Sequence, residues 1–264
     1  MPQFAPTRRA RLPALHALPT RNGRLSFILS GHGAPRIVLF SGAGMSLQGW
    51  EPLYPGIERV GRVLGWNRFG LQGSDRPRGR QAGAAVLGSL RELLVQVDLA
   101  PPYVLVAHSL GGLFANLYAR LYPQEVAGVL FIEATHPADH AVLKKHETQI
   151  ERALARMLTL PQALLRPNLH SELAGVQDTV REIEAAGPFP ELPLRVVTGG
   201  LTPRAWMMSP GAVGARRANQ QELARLSPRG GQVIAHKSGH FPQLTEPQLV
   251  LRVLEELLVE VRTS

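Results

Sequence analysis

One segment near the middle of the chain restricts the possible folds more than any other. Residues 103–107 form a short apolar run that is typical of a buried strand, and residues 110–122 carry the period of a helix. Ser109 lies between them and must therefore occupy a very tight turn. Such a turn needs small residues two positions to either side, and Ala107 and Gly111 meet that need. The segment predicts a serine hydroxyl raised above the end of a strand.

The same turn predicts chemistry as well as shape. The backbone N–H of Leu110 would point at a carbonyl oxygen bound near Ser109, and the helix N-terminus adds partial positive charge there. A serine hydroxyl becomes a good nucleophile only when a base lies within hydrogen-bond reach and an acid orients that base. Ser109 is therefore a candidate nucleophile, and the rest of the chain should supply a base and an acid.

Short apolar strands alternate with helical segments along most of the chain. This alternation predicts an α/β fold with a mostly parallel sheet flanked by helices. In residues 24–29, apolar and polar side chains partly alternate, as in an edge strand. The last helix is preceded by Thr245, in a sequence that fits a capping box. The other predicted strands are 36–40, 60–66, 103–107, 128–132, 194–197 and 232–235.

The chain divides into three parts by character. Residues 1–22 contain several prolines and no clear period, so they are expected to form a loose basic arm. Residues 137–187 are helical and rich in polar residues, and they are closed by prolines. We expect this block to be a helical cap insertion. The segments 23–136 and 188–264 then form the core.

Composition excludes several classes of protein. The chain has no cysteine, which rules out disulfide scaffolds, thiolate zinc sites and cysteine nucleophiles. No apolar run reaches the ~18 residues of a membrane span. The first 24 residues also lack the apolar stretch of a signal peptide. These features favour a cytoplasmic protein.

The net charge of +9 raises the possibility of a polyanionic partner. Residues 1–50 contain six arginines and no acidic residue, so most of the excess lies at one end of the chain. The sequence has no Cys/His finger, no aromatic RNA-binding signature and no heptads beside a basic region. We therefore expect a solvated basic surface and no specific nucleic-acid partner.

From about residue 24 to its end, the sequence resembles proteins of the α/β-hydrolase fold. The resemblance rests on five segments that occur in the order usual for the family: SGAG, RFGLQGSDRP, AHSLGG, LFIEATHP and SGHFPQLTEP. The family order of catalytic residues is serine, acid and histidine. The resemblance identifies His240, in the loop between the last strand and the last helix, as the base for Ser109.

The acid is less obvious from the resemblance. Its usual place is the loop after the penultimate strand, but residues 198–208 contain no carboxylate. Some family members carry the acid at the end of the strand that comes after the helix following the nucleophilic serine. That position is Glu133, which lies 24 residues after Ser109. Asp139, in the same loop, is the alternative.

The resemblance also implies an oxyanion hole. One donor is the N–H of Leu110, and the other is the N–H of Ala43 in the loop after the strand at residues 36–40. Ser41-Gly42 replaces the His-Gly that family members commonly have there, so the hydrogen bonds behind this loop are expected to differ.

Three large apolar residues are candidates for substrate binding. Trp206, Met207 and Phe241 are expected near the mouth of the site and suggest a hydrophobic acyl or alcohol group. Together these features predict a serine esterase for a small acyl substrate, with no metal or organic cofactor. Acyl transfer, lyase chemistry or C–C bond hydrolysis on the same triad, and a non-catalytic binding module, stay open because fold does not fix function.

Overall fold

The computed structural model describes residues 12–139, 167–202 and 209–263. Within these ranges the chain forms one eight-stranded sheet in the order β1-β2-β4-β3-β5-β6-β7-β8. The strands are β1 (His16–Thr20), β2 (Gly23–Ser30), β3 (Arg36–Phe40), β4 (Arg62–Trp66), β5 (Tyr103–His108), β6 (Val126–Ile132), β7 (Leu194–Gly199) and β8 (Gly230–Ala235).

The sheet is mostly parallel, as predicted. Strands β4, β3, β5, β6, β7 and β8 run parallel to one another, and only β1 and β2 are antiparallel to their neighbours. The carboxyl ends of the parallel strands therefore meet at one edge, where ligands bind in open sheets of this type.

The prediction was wrong about the outer edge of the sheet. Strand β2 is an interior strand, because β1 pairs with it from His16↔Phe27 to Thr20↔Gly23. Residues 16–20 of the supposed loose arm thus belong to the sheet. Pro19 obscures this strand in the sequence, yet proline is tolerated on an edge strand, where its missing N–H breaks no interior ladder.

Helices cover both faces of the sheet. They are α1 (Tyr54–Val60), α2 (Gly83–Gln96), α3 (Gly111–Leu121), α4 (Pro167–Ala185), α5 (Pro210–Ala224), α6 (Pro242–Thr245) and α7 (Pro247–Arg262). In the ranges that the structure describes, no helix combines the length and the apolar composition that crossing a bilayer requires.

Two apolar cores result, one on each face. On one face, Leu105 packs in a cluster with Phe114 and Leu117 of α3. On the other face, Val106 and Leu254 belong to a second cluster that includes residues of α1 and α7. Successive residues of β5 point to opposite faces and are all buried, which explains its continuous apolar run.

Helix α4 is the main part of the predicted insertion 137–187 that the structure describes. It packs on α2 and α3, with Val176, Val180 and Ile183 at the first core cluster. Residues 140–166 lie outside the described ranges. The assignment of the whole block as a cap stays a prediction.

The predicted capping box is wrong. Thr245 ends the short helix α6, and Glu246 occupies the N-cap position of α7 without a side-chain cap bond. The Thr245 hydroxyl lies 2.6 Å from Oγ of Ser238, and that serine in turn donates to Oε2 of Glu246. These hydrogen bonds connect Ser238, before His240, to Thr245 and Glu246, after it, and so stabilise the loop between them.

Candidate active site

Ser109 occupies the tight turn that its neighbours predict. Its φ is 51°, in the left-handed region that non-glycine residues rarely adopt. A Cβ at Gly111 would lie 2.3 Å from the carbonyl oxygen of Phe40, so only glycine fits there. The turn is therefore held by the packing of α3 against β3, and it exposes the hydroxyl at the carboxyl edge of the sheet.

Glu133 stands in the equivalent place on the neighbouring strand. His108 of β5 pairs with Ile132 of β6, so Ser109 and Glu133 each follow a paired residue. Glu133 also has a positive φ, of 45°. Among described non-glycine residues this conformation occurs only at Asp98, Ser109 and Glu133. Such strain persists where the surrounding structure enforces it, often at functional sites.

The structure brings the predicted nucleophile, base and acid together. Nε2 of His240 lies 3.0 Å from Oγ of Ser109, and Nδ1 of His240 lies 3.3 Å from Oε2 of Glu133. Asp139 is held elsewhere, because its two oxygens accept hydrogen bonds from the N–H of His136 and from Nδ2 of Asn219. Of the two candidate acids, only Glu133 reaches the imidazole.

The environment of Glu133 favours its ionised form. Burial raises the pKa of this carboxyl, but the hydrogen bond with His240, the charge of Arg216 and the N–H of Gly199 outweigh burial and hold the pKa below its usual value. The Gly199 N–H donates to Oε1 at 2.7 Å, and Nη2 of Arg216 donates to Oε2 at 2.9 Å. Glu133 is thus a fixed anion behind the imidazole.

Arg216, on α5, is a site residue that the sequence did not reveal. Its Nη2 also lies 2.9 Å from Nδ1 of His240. A guanidinium only donates, so Nδ1 accepts this bond only while it carries no proton. When Nδ1 is protonated, it can donate to Glu133 instead. The two arrangements exclude each other, and Arg216 therefore competes with Glu133 for the imidazole.

His108 binds the backbone of the loop that contains His240. Its Nε2 donates to the carbonyl oxygen of His240 at 2.8 Å, which leaves Nδ1 unprotonated. Burial, reinforced by the neighbouring His240, lowers the pKa of His108 to about 3. Nδ1 is buried and has no hydrogen-bond partner among the described residues. The residue is a neutral support.

The two predicted oxyanion donors flank the serine. Leu110 follows Ser109 directly, and Gly42, which precedes Ala43, is so close that a Cβ on it would lie 3.2 Å from Cβ of Ser109. Within the described part of the chain, the N–H groups of Ala43 and Leu110 donate to no other protein group. The oxyanion hole itself stays a prediction.

The predicted substrate residues are only partly described. Phe241 is 45% exposed, and its ring centroid lies 5.0 Å from that of His240. Trp206 and Met207 lie outside the described residues. A cavity of about 250 Å³ adjoins the imidazole and is lined by residues that include Leu201, Val213 and Arg216. Across residues 12–139, 167–202 and 209–263, no three His, Asp or Glu side chains cluster as metal ligands would.

Solved structures of similar fold include hydrolytic enzymes. An enol-lactonase from Burkholderia xenovorans LB400 superposes with a TM-score of 0.66 at 19% identity, over 93% of this chain and 100% of that one. A thermophilic esterase from Thermogutta terrifontis gives a TM-score of 0.71 at 18% identity, over 94% and 99%. At such identities the likeness concerns the fold.

Sequence relatives match part of their own length. An uncharacterised protein of Schizosaccharomyces pombe is 40% identical over 73 residues, which is 28% of this chain and 14% of that protein. The chain spans less than half the length of the first curated relatives that it matches. The family model described as alpha/beta hydrolase fold matches residues 35–209, which is more than half of the chain. The protein therefore belongs to the α/β-hydrolase fold family.

Proposed function

We propose that this protein is a serine hydrolase that cleaves a carboxylic ester or a related acyl bond of a small, partly hydrophobic substrate. The proposal rests on the 3.0 Å separation between Oγ of Ser109 and Nε2 of His240. This distance lies within the range over which a base removes a proton from a nucleophile. Glu133, ionised and 3.3 Å from Nδ1, completes a triad.

The proposed reaction begins with proton transfer. Oγ of Ser109 attacks the substrate carbonyl carbon as its proton moves to Nε2 of His240. Glu133 accepts a hydrogen bond from Nδ1–H, which keeps the lone pair on Nε2 directed at the serine and stabilises the imidazolium that forms. The imidazolium then protonates the leaving alcohol, and the C–O bond to it breaks. Ser109 is left as an ester of the acyl group.

Water completes the cycle by the same path in reverse. His240 removes a proton from water, the resulting hydroxide adds to the acyl carbon, and Oγ of Ser109 leaves with the proton from the imidazolium. Each addition places negative charge on the former carbonyl oxygen. The N–H groups of Ala43 and Leu110 are the proposed donors to that oxygen, and such donors are each worth about 10²–10³ in kcat.

Phe241 is the proposed apolar contact for the substrate, together with Trp206 and Met207. Its ring is half exposed beside the imidazole, where an acyl or alcohol group would lie. Residues 137–187 are proposed to form a cap over the part of the site that contains Phe241 and His240. The chemistry requires no metal or organic cofactor, since the serine, base, acid and donors all come from the chain.

Labelling with a fluorophosphonate tests the proposal directly. The reagent phosphonylates an activated serine, and peptide mass analysis locates the adduct. We expect an adduct on Ser109 that is absent in Ser109→Ala and in His240→Ala. Ser89→Ala is the matched control, because Ser89 is buried but bonds to Asn22 and Ala85, remote from the triad. It should label like the wild type.

A series of p-nitrophenyl esters with increasing acyl length then measures the substrate preference. Hydrolysis that depends on Ser109 and rises with the first added methylenes would support an apolar acyl pocket. A folded wild-type protein that neither labels at Ser109 nor hydrolyses any ester would contradict the proposed function.

A further inference from the structure

A buried ion pair lies behind the loop that contains Ala43. Arg68, in the loop after β4, donates from Nε to Oε1 of Glu172 on α4 at 2.8 Å. The side chains are 2% and 0% exposed. A buried ion pair is weak evidence for stability, because desolvation of both charges offsets much of their attraction. The position of this pair therefore requires another explanation.

The remaining polar atoms of the pair bind the backbone of one short loop. Arg68 donates from Nη1 to the carbonyl oxygen of Ser41 at 2.7 Å and from Nη2 to that of Gly42 at 2.6 Å. Oε2 of Glu172 accepts from the N–H of Gly44 at 2.7 Å. Three hydrogen bonds thus bind the loop on both sides of Ala43.

One of these bonds fixes the direction of the proposed oxyanion donor. The carbonyl of Gly42 and the N–H of Ala43 belong to the same peptide unit. That unit is planar and trans, so its C=O and N–H point in opposite directions. By holding the Gly42 oxygen, Arg68 turns the Ala43 N–H away from the ion pair. Among the described residues that N–H has no protein partner, while Gly42 lies against Ser109.

Arginine is suited to this task because its donors form a rigid planar fork. The fork reaches one carboxylate oxygen and two adjacent carbonyl oxygens at once, as Arg68 does here. A lysine ammonium is a single point charge and cannot reproduce that pattern. Glu172 balances the charge and also supplies the acceptor for Gly44.

We infer that Arg68 and Glu172 are positioning residues that orient the Ala43 N–H toward the oxyanion of the reaction. The inference rests on the proposed function, since it gives this pair a role in the same acyl chemistry. Neither side chain touches the substrate. The pair also connects the donor loop to α4, the helix that ends the predicted insertion.

A double variant separates positioning from stability. Arg68→Met with Glu172→Leu replaces the pair by apolar side chains of similar volume, which commonly preserves folding. Thermal unfolding followed by circular dichroism should show that the variant is folded and unfolds cooperatively. We expect its kcat for p-nitrophenyl esters to be reduced about 10²–10³-fold, and its KM to change less than about threefold. An oxyanion donor acts in the transition state, so its loss lowers kcat and spares KM.

A distant ion pair provides the control. Arg91 and Glu125 pair at 2.6 Å, and Glu125 directly precedes β6, at the end of that strand opposite Glu133. The double variant Arg91→Met with Glu125→Gln should keep kcat within about threefold of the wild type, since this pair lies far from the loops that carry Ser109, His240 and Ala43.

Thionoesters give a readout that a general loosening of the fold would not produce. Sulfur in place of the carbonyl oxygen is larger and a weaker acceptor, so well-placed N–H donors disfavour thionoesters relative to esters. In the double variant we expect the ratio of ester to thionoester kcat/KM to fall about tenfold. If the double variant does not fold, Arg68→Lys is measured in the same way, with the same loss expected, because a lysine cannot hold the carboxylate and both carbonyl oxygens.

The outcomes distinguish the two proposals. A wild-type protein without Ser109-dependent hydrolysis overturns the proposed function itself. An active wild type combined with folded pair variants of unchanged kcat and unchanged ester preference overturns only the positioning role. Loss of kcat together with a reduced ester preference, and neither change in the Arg91 control, supports it.

Discussion

Nη2 of Arg216 lies 2.9 Å from Nδ1 of His240, the nitrogen that must carry a proton for the imidazole to act as a base toward Ser109. When Nδ1 accepts from the guanidinium, the proton of a neutral imidazole is on Nε2 and faces the serine. That tautomer cannot remove the serine proton. Arg216 therefore stabilises Glu133 as an anion while opposing the tautomer and the imidazolium that the proposed mechanism requires.

Removal of this guanidinium should favour the tautomer of His240 that the proposed mechanism requires. In Arg216→Met, Nδ1 of His240 no longer faces a donor that excludes its proton, while Oε1 of Glu133 keeps the N–H of Gly199. Nδ1–H is then free to donate to Oε2 of Glu133. We expect kcat/KM for p-nitrophenyl esters at one fixed pH to rise by about two- to tenfold.

Arg217→Met is the control for that measurement. Arg217 is the next residue on α5, but its Nη2 donates to Oγ1 of Thr202 and makes no described contact with the triad. Its kcat/KM at the same pH should match that of the wild type. An Arg216→Met variant that also matches would show that the guanidinium does not compete with Glu133 for the imidazole.

The two candidate acids predict different outcomes on amidation. Glu133→Gln removes the anion that orients the imidazole, and kcat should fall about 10⁴-fold, since the wrong tautomer is then favoured. Asp139→Asn breaks hydrogen bonds to His136 and Asn219 at a distance from the imidazole, and kcat should stay within about threefold. Steady-state kinetics on one p-nitrophenyl ester decides between them, and the reverse pattern would move the acid to Asp139.

His108 should make the fold sensitive to acid. Its pKa is about 3 in the folded chain and near 6.5 when unfolded. The stability it contributes is therefore complete above pH 6.5. As the pH falls from about 6.5 to 3, the unfolded state binds a proton that the folded state does not. The free energy of unfolding should then decrease by up to about 1.4 kcal/mol per pH unit through this residue alone.

Urea titrations at several pH values measure this contribution. In His108→Gln the slope should disappear, so the wild-type and variant stability curves meet and cross between about pH 6.5 and 3. At pH 7 the variant should be less stable by about 1–3 kcal/mol, because the glutamine side chain does not reproduce the hydrogen-bond geometry of the imidazole. Parallel curves for His108→Gln and the wild type would refute a neutral, buried His108.

Two glycine substitutions should have opposite effects on stability. A Cβ at Gly111 meets the Phe40 carbonyl oxygen at 2.3 Å, so Gly111→Ala should destabilise the fold by more than about 3 kcal/mol. Gly88 lies on the exposed face of α2, where an added methyl group would meet nothing within 4 Å. There, Gly88→Ala should stabilise by about 0.5–1 kcal/mol. Thermal unfolding of both variants checks the contrast, which equal melting temperatures would contradict.

The sequence predicted the residues whose positions depend on local backbone structure. Ser109, Glu133 and His240 each follow an apolar strand within a few residues, and parallel strands end at the same edge of a sheet. The resemblance to the α/β-hydrolase fold, together with the absence of a carboxylate from residues 198–208, then favoured His240 as the base and Glu133 as the acid. The local pattern alone predicted Ser109, whereas the other two positions came from the resemblance.

The supporting residues could not be predicted because their partners are far apart in the chain. Arg216 is 83 positions from Glu133, and Arg68 is 104 positions from Glu172. Arg216 lies on a helix whose polar pattern indicates only a solvated face. Tertiary contacts decide which of the many arginines are buried, and periodicity contains no signal for them. The wrong cap prediction at Thr245 has a more local cause, since its hydroxyl donates to Oγ of Ser238, seven residues earlier, and not to the helix that follows.

The register between β5 and β6 has a consequence for how this scaffold can be altered. Ser109 and Glu133 follow directly paired residues of adjacent strands, so their separation depends on the spacing of strands in the sheet. Both belong to a single strand–helix–strand unit, and no long loop lies between them. Loops after this unit can therefore change in length without altering that separation, provided that α4 keeps Glu172 and its packing on the first core. The nucleophile and the acid would remain in place in such variants.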